Sequence, residues 1–321
     1  MCLSQSGESV AAMAIPVLID ADVGVDDAVA ICLATASAAL DVTTVVGVGG
    51  SVPLESVMAN IERLLGALHL KAMPQVGRGL EQSSSDLMDR RTMFGDDGLG
   101  NFNGPSRIQL TSVDFRDAYA QAADTAGGEL NVLTTGPLTN LAAVMTDAPG
   151  LKRAIKRVYV CGGAVWTKGN AGDAAEFNFY RDPQAAAVVL SSGLPITVVP
   201  LDVTGLVCLD QSHVAHLAAS DHLTGQVAAQ VLERSLEYSG EPAPGKTFVH
   251  AATAVGAMIW PELFMGTKMR LDITTTGEES GRCRPGLGGD KSKHVDLLTA
   301  VNAVDFIENM LESLCQEAFF V

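Results

Sequence analysis

Short runs of β-branched and other apolar residues alternate along this chain with alanine- and leucine-rich stretches. That alternation restricts the fold more than any other feature of the sequence. The strand candidates are 17–20 (VLID), 42–48 (VTTVVGV), 131–135 (NVLTT), 157–163 (RVYVCGG) and 196–202 (ITVVPLD). Between them, 26–37 (DDAVAICLATAS), 53–70 (PLESVMANIERLLGALHL), 136–145 (GPLTNLAAVM) and 182–193 (DPQAAAVVLSSG) read as helices. Strands that are apolar at nearly every position belong in a sheet covered on both faces. The fold class expected is therefore α/β: a mainly parallel, Rossmann-like open sheet with helices on both faces. With 321 residues, of which 47% are hydrophobic and only 18% charged, the chain can build one large core. Nothing repeats at a fixed period and no low-complexity linker divides it. We expect residues 1–14 to form a flexible N-terminal extension and residues 15–321 a single domain.

The ends of the strands carry the chemistry. At their C-terminal edges lie Asp20 and Asp22, Ser51 after VGVGG, Thr134 and Thr135, Gly162 and Gly163, then Asp202 and Thr204. Ligands of open parallel sheets bind at that edge, so these residues should face one crevice. The densest feature among them is VLIDADVGVDDAVAI, residues 17–31, which places Asp20, Asp22, Asp26 and Asp27 between two apolar runs. Carboxylates this close raise one another's pKa unless a cation or strong hydrogen-bond donors sit among them. Part of the pattern has a purely structural explanation. Asp26 and Asp27 would complement a helix dipole, Asp182-Pro183 reads as an N-cap followed by proline at the first helical position, and Thr139 and Asn140 would open a helix. Asp20 and Asp22 at a strand end are not explained in that way.

Two chemistries suit such a corner. In one, an aspartate attacks phosphorus beside Mg²⁺, and the DADV spacing is similar to the start of haloacid-dehalogenase-like phosphatases. In the other, the carboxylates hold a hard cation such as Ca²⁺, which prefers oxygen ligands and orients and acidifies a water. The segment GNAGDAAEFNFYRDP, 169–183, brings Asn170, Glu176 and Asn178 into one polar loop. Amides beside a carboxylate suit sugar hydroxyls, which both donate and accept; a phosphate would ask for Lys, Arg or a glycine-rich nest. The net charge of −16 excludes binding a nucleic-acid polymer through its phosphates. No apolar run is long enough to span a membrane, and the N-terminus has no basic signal-peptide region. Six cysteines without a C-x-x-C pair read as reduced thiols of a cytoplasmic protein.

Together DADVGVDD, TTGPLTNLA, CGGAV, GNAGDAAEFNFYRDP, LDVT and HAATAVGAMIWPELF, in this order from about residue 15 onward, resemble the inosine–uridine-preferring nucleoside hydrolase family. The resemblance implies hydrolysis of the N-glycosidic bond of a ribonucleoside by a metal-bound water. It implies Asp22 as general base and Ca²⁺ ligand, Asp27 as bidentate ligand, and Thr135 as a ligand through its main-chain carbonyl. Asp26, Ser51, Asn170, Glu176 and Asn178 would hold the ribose, Asp20 would support its neighbours, and His250 would protonate the leaving base. A small-molecule ribonucleoside is the partner implied, with a homo-oligomer, dimer or tetramer, as the family's habit.

Three departures accompany the resemblance. Ala251 follows His250 where the family has an aspartate ligand, Ser51 replaces an asparagine near the ribose, and Phe94 replaces a histidine. Ala251 predicts weakened Ca²⁺ binding, because affinity follows ligand charge. A catalytically impaired, ribosyl-binding relative is thus an alternative reading, and the Mg²⁺-dependent phosphotransferase a distant one. His250 also has a plain reading as a satisfied, partly buried histidine, and Asp202 as a structural residue. Residues 81–105 and 237–248 read as loops able to close over the base, with Phe94 or Tyr238 to stack on it. Residues 274–294 read as an exposed connection.

Overall fold

The computed structural model describes residues 14–81, 94–104, 110–237, 243–288 and 290–316. The expected extension and Tyr238 lie outside these residues, as does most of 81–93. Among the described residues thirteen strands form, in chain order: β1 (Ile15–Ala21), β2 (Leu40–Gly47), β3 (Gln75–Arg78), β4 (Ser112–Asp114), β5 (Leu130–Thr134), β6 (Ile155–Cys161), β7 (Ile196–Val199), β8 (Cys208–Asp210), β9 (Lys246–Phe248), β10 (Phe264–Met269), β11 (Leu271–Ile273), β12 (Cys283–Pro285) and β13 (Val295–Val301). Nine of them make one sheet in the order β10-β13-β7-β6-β5-β1-β2-β3-β4. Every pairing in it is parallel except β10 with β13. Two antiparallel ribbons, β8–β9 and β11–β12, stand apart.

The order of strands decides where a ligand can sit. From β1 the chain winds outward through β2, β3 and β4, then returns to place β5 on the other side of β1 and winds the opposite way. The connections therefore diverge between β1 and β5, and at such a reversal the carboxyl ends of the strands open into a crevice. β1 ends at Ala21, one residue before Asp22, and β5 ends at Thr134, one residue before Thr135. Thr135 N–H donates to Asp20 O at 2.9 Å, which closes the floor between them.

Side-chain alternation along β1 feeds two cores. Val17, Ile19 and Ala21 pack under the helices Val25–Ala36, Leu54–Leu68, Leu223–Glu237, His250–Ile259 and Ala303–Leu314. Leu18 points to the opposite face, against Phe115, Tyr119, Leu141 and Val189. Both faces are thus covered, as the unbroken apolar strands require.

Several segments differ from the sequence reading. The strand expected over 196–202 stops at Val199 because Pro200 lacks an N–H to continue the ladder, and Leu201–Thr204 turns into a short helix instead. The stretch 274–294 is more than an exposed connection, since it contains β12 and buries Cys283. Of the proposed covering loops, the described part is tied down. Asn60 donates to Val23 O at 3.0 Å and Asp97 O at 2.9 Å, while Arg63 bonds Asp97 and Phe102 O.

The helix that begins with His250 is held to the body by close packing against Phe306. Trp260 and Phe264 meet that ring edge-on at 5.9 and 6.3 Å, and a Cβ on Gly256 would lie 2.1 Å from Phe306 Cε2. Helix propensity alone favours Gly256→Ala by about 1 kcal/mol. Overpacking opposes it by roughly 1–3 kcal/mol. We expect a net loss of stability in urea unfolding, and a stabilised variant would contradict the close approach.

Candidate active site

The aspartate corner is built from the sharp exit of β1 into the helix Val25–Ala36. Gly24 N–H donates to Asp27 Oδ2 at 2.9 Å, so Asp27 caps the helix it belongs to. Asp22, in the turn between, is enclosed by backbone. Its Oδ2 accepts from Ser51 N at 2.6 Å and Ser51 Oγ at 2.7 Å. A Cβ on Gly50 would lie 2.3 Å from that same oxygen, so only glycine lets the VGVGGS turn approach it. Ser51 therefore reaches Asp22, a contact that the sequence reading did not foresee.

Asp20 lies beneath the floor. Tyr119 donates to its Oδ2 at 2.6 Å and Asn140 Nδ2 to its Oδ1 at 3.0 Å. Burial pushes its pKa up to about 7, with the negative charge of Asp22 adding to the rise and the two hydrogen bonds opposing it. Neither Tyr119 nor the inward turn of Asn140 was read from the sequence. Asn140 showed only as a helix opener, and Tyr119 sits in a stretch with no motif.

The crevice above is a small cleft, open at its mouth. Asp22, Asp26, Asp27, Ser51, Phe94 and Thr135 line it, and Glu176, Asn178 and His250 face them. Cys161, Phe177 and Thr204 complete the wall. Of the expected site residues, Asn170 and Ala251 stand just outside the lining, and Asp20 below it. Asn170 Oδ1 accepts from Phe177 N at 2.8 Å, which fixes the loop. Glu176 caps the short helix Phe177–Arg181, accepting from the backbone N–H of Asn178, Phe179 and Gly163 at 2.8–3.1 Å. Asn178 Nδ2 donates to Thr135 O at 2.7 Å and Cys161 O at 3.0 Å, leaving its Oδ1 as the acceptor end. Asp202 takes the structural role: its carboxylate accepts from Val165, Trp166 and Thr167 N–H at 2.8–3.1 Å. Asp182 accepts from Ala185 N at 2.9 Å, the N-cap expected of it.

The electrostatics of this wall ask for a cation. Burial, then the charges of Asp22 and Asp26, hold Asp27 well above the ordinary carboxylate range. No Lys or Arg is among the described residues lining the crevice. Asp27 Oδ1 and Thr135 Oγ1 are buried without a hydrogen-bond partner, and an uncompensated buried carboxylate oxygen is costly. The donors are all oxygen, which fits a hard divalent ion. The set is short, however. Among the described residues no three His, Cys, Asp or Glu side chains close a metal cage, and Ala251, buried, offers Asp26 Oδ2 only its backbone N–H at 3.4 Å.

The model of the inosine-uridine preferring nucleoside hydrolase family matches residues 17–308. The pyrimidine-specific ribonucleoside hydrolase RihA of Citrobacter koseri is 32% identical over 275 residues, covering 83% of this chain and 86% of that protein. RihA of Escherichia coli K12 is 31% identical over 274 residues, with the same two shares, 83% and 86%. Among solved structures, the plant nucleoside hydrolase PpNRh1 superposes with a TM-score of 0.86 at 26% identity, over 93% of this chain and 98% of that one. The purine-preferring ribonucleoside hydrolase from Gardnerella vaginalis shares the fold, with a TM-score of 0.86 at 24% identity, over 95% and 99%. The chain belongs to the inosine-uridine preferring nucleoside hydrolase family and is an enzyme of that ribonucleoside-hydrolysing class.

Proposed function

We propose that the protein hydrolyses the N-glycosidic bond of ribonucleosides to ribose and free base, with Asp22 as general base and His250 as proton donor to the base. The observation that carries this reading is the convergence of Asp22, Asp26, Asp27, Thr135, Glu176, Asn178 and His250 on one crevice. Asp22 takes the proton of the attacking water, and its two bonds from Ser51 hold the carboxylate in place for that task. Asp26, Glu176, Asn178 and, through the loop it fixes, Asn170 grip the ribose. The carboxylates of Asp26 and Glu176 stabilise the positive charge that grows on the sugar ring as the bond breaks. His250 receives the departing base, whose release as an anion is otherwise slow.

Asp22, Asp27 and the Thr135 carbonyl would hold the ion, Ca²⁺ in this proposal. Bound there, it would neutralise the crowded carboxylates and orient and acidify the water. Ala251 favours a second reading, a ribosyl-binding relative with little turnover. The phosphotransferase reading has no such support, since no phosphate-binding cation lines the described wall. We place the protein in a reducing, cytoplasmic compartment because Cys32, Cys161, Cys208, Cys283 and Cys315 are free thiols. Among the described residues no helix is long and apolar enough to cross a membrane. A homo-oligomer is part of the same proposal, with light scattering as its check.

The deciding assay is ribose release from a nucleoside panel, with Ca²⁺ and with chelator. Uridine and cytidine come first, because RihA is pyrimidine-specific. Calcium-dependent release is the expected result; no release from folded protein moves the weight to the ribosyl-binding reading. Asp22→Asn keeps an acceptor for Ser51 but removes the base, and we expect kcat to fall about 10²- to 10⁴-fold. A variant of near-normal kcat would remove Asp22 from that role. Ala251→Asp should tighten Ca²⁺ binding in calorimetry about tenfold or more, as ligand charge rises. Unchanged affinity would show that position 251 does not face the ion.

A further inference from the structure

Thr204 was read from the sequence only as a polar residue after a strand, yet the fold fixes it with unusual care. It ends the helical turn Leu201–Thr204 and is 1% exposed. Its N–H donates to Pro200 O at 2.9 Å, Leu201 N–H donates to Gly163 O at 2.8 Å, and Asp202 holds the three N–H groups of the neighbouring loop. The turn is therefore tied, through Leu201 and Asp202, to the loop that follows β6. From this anchored position the Thr204 hydroxyl lies 2.8 Å from His250 Nδ1. Phe248 stacks on the same imidazole, ring centroids 5.0 Å apart and tilted by 31°. One contact sets which edge of the ring faces Thr204, and the other sets its plane.

We propose that Thr204 is a positioning residue for the leaving-group step, holding His250 by Nδ1 so that Nε2, on the far edge of the ring, meets the departing base. This deepens the hydrolase reading and rests on it. In the step, the N-glycosidic bond breaks with its electron pair passing to the base nitrogen, which takes a proton from His250 Nε2. The water oxygen bonds to the anomeric carbon and its proton passes to Asp22. Afterwards Asp22 releases a proton to solvent and His250 takes one up, so the enzyme returns to its starting state. Nδ1 keeps its proton throughout and donates it to Thr204 Oγ1. A hydroxyl suits the place because it can also donate to Nδ1 when the ring carries its proton on Nε2 alone. A carboxylate there would add one more negative charge to a wall already rich in them.

The test compares Thr204→Val, which keeps the shape and removes the hydroxyl, with Thr204→Ser, which keeps it. Two substrates are used: a natural ribonucleoside cleaved by the wild type, and 4-nitrophenyl β-D-ribofuranoside, whose phenolate leaves without needing a proton. On the nucleoside we expect Thr204→Val to lower kcat about 10- to 100-fold with KM changed less than about threefold. On the nitrophenyl riboside the loss should shrink to within about threefold, and Thr204→Ser should restore most nucleoside turnover. Equal losses on both substrates would assign Thr204 to structure alone, and no loss on either would remove it from the reaction; each overturns the inference. If the wild type releases ribose from no nucleoside, the hydrolase reading itself fails, a result distinct from either. Nitrogen-15 NMR of the wild-type imidazole, its signal assigned with His250→Gln, needs no Thr204 variant. A hydrogen-bonded Nδ1 is expected, and an Nδ1 exchanging with water overturns the proposal.

Discussion

Three buried carboxylates, Asp20, Asp22 and Asp27, with the half-buried Asp26 beside them, dictate the arrangement at the end of β1. A carboxylate removed from water without donors costs several kcal/mol, so each must be met by a group brought from elsewhere. Tyr119 and Asn140 meet Asp20 from positions 99 and 120 residues further along the chain. That requirement fixes the helices Phe115–Ala126 and Thr139–Asp147 against β1 more tightly than apolar packing alone, which tolerates small slides. Asn140 does more than satisfy Asp20. The same amide donates to Gly47 O and accepts from Leu80 N, so one side chain joins the ends of β1 and β2 to the residues after β3. Ser51 meets Asp22, and Gly24 meets one oxygen of Asp27, while Asp27 Oδ1 stays without a hydrogen-bond partner.

Much of this was legible in the sequence because the signals were local. β1, β2, β5 and β6 are continuous apolar runs, and their polar exits named the crevice before any fold was known. Asp182 with Pro183 announced its N-cap for the same reason. The main-sheet strands missed, β3, β4, β10 and β13, lack that signature, and the ribbon strands β8, β9, β11 and β12, also missed, are three residues each. β3 and β4 are three or four residues long, and β10 is an edge strand whose exposed face needs no apolar residues. Strand order was equally hidden, because nothing local distinguishes β2 following β1 outward from β5 returning on its other side. The site divides in the same way. Aspartates in a motif could be seen, whereas Tyr119 and the pairing of Thr204 with His250 depend on contacts across the sheet that no spacing encodes.

Glu176 and Asn178 show how one short helix performs two tasks. Glu176 spends its oxygens on backbone N–H groups, and this holds it in place at the crevice wall. Asn178, two residues on, gives both amide hydrogens to carbonyls at the ends of β5 and β6. The orientation of its oxygen is thereby imposed by the sheet and not by any ligand. In the proposed reading a sugar hydroxyl would meet acceptors that are already aimed, so little ordering would remain to be done on binding.

Ala251 stands against this background as a trade of charge for stability. Burial, and then the charges of Asp22 and Asp26, already hold Asp27 well above its ordinary range, and a fourth carboxylate would add to that repulsion. The backbone N–H of Ala251, which any residue would supply, lies 3.4 Å from Asp26 Oδ2; what the alanine side chain changes is the charge count alone. In the proposed reading, one carboxylate fewer eases the repulsion in the ion-free corner and weakens its hold on a cation, because the same charges set both.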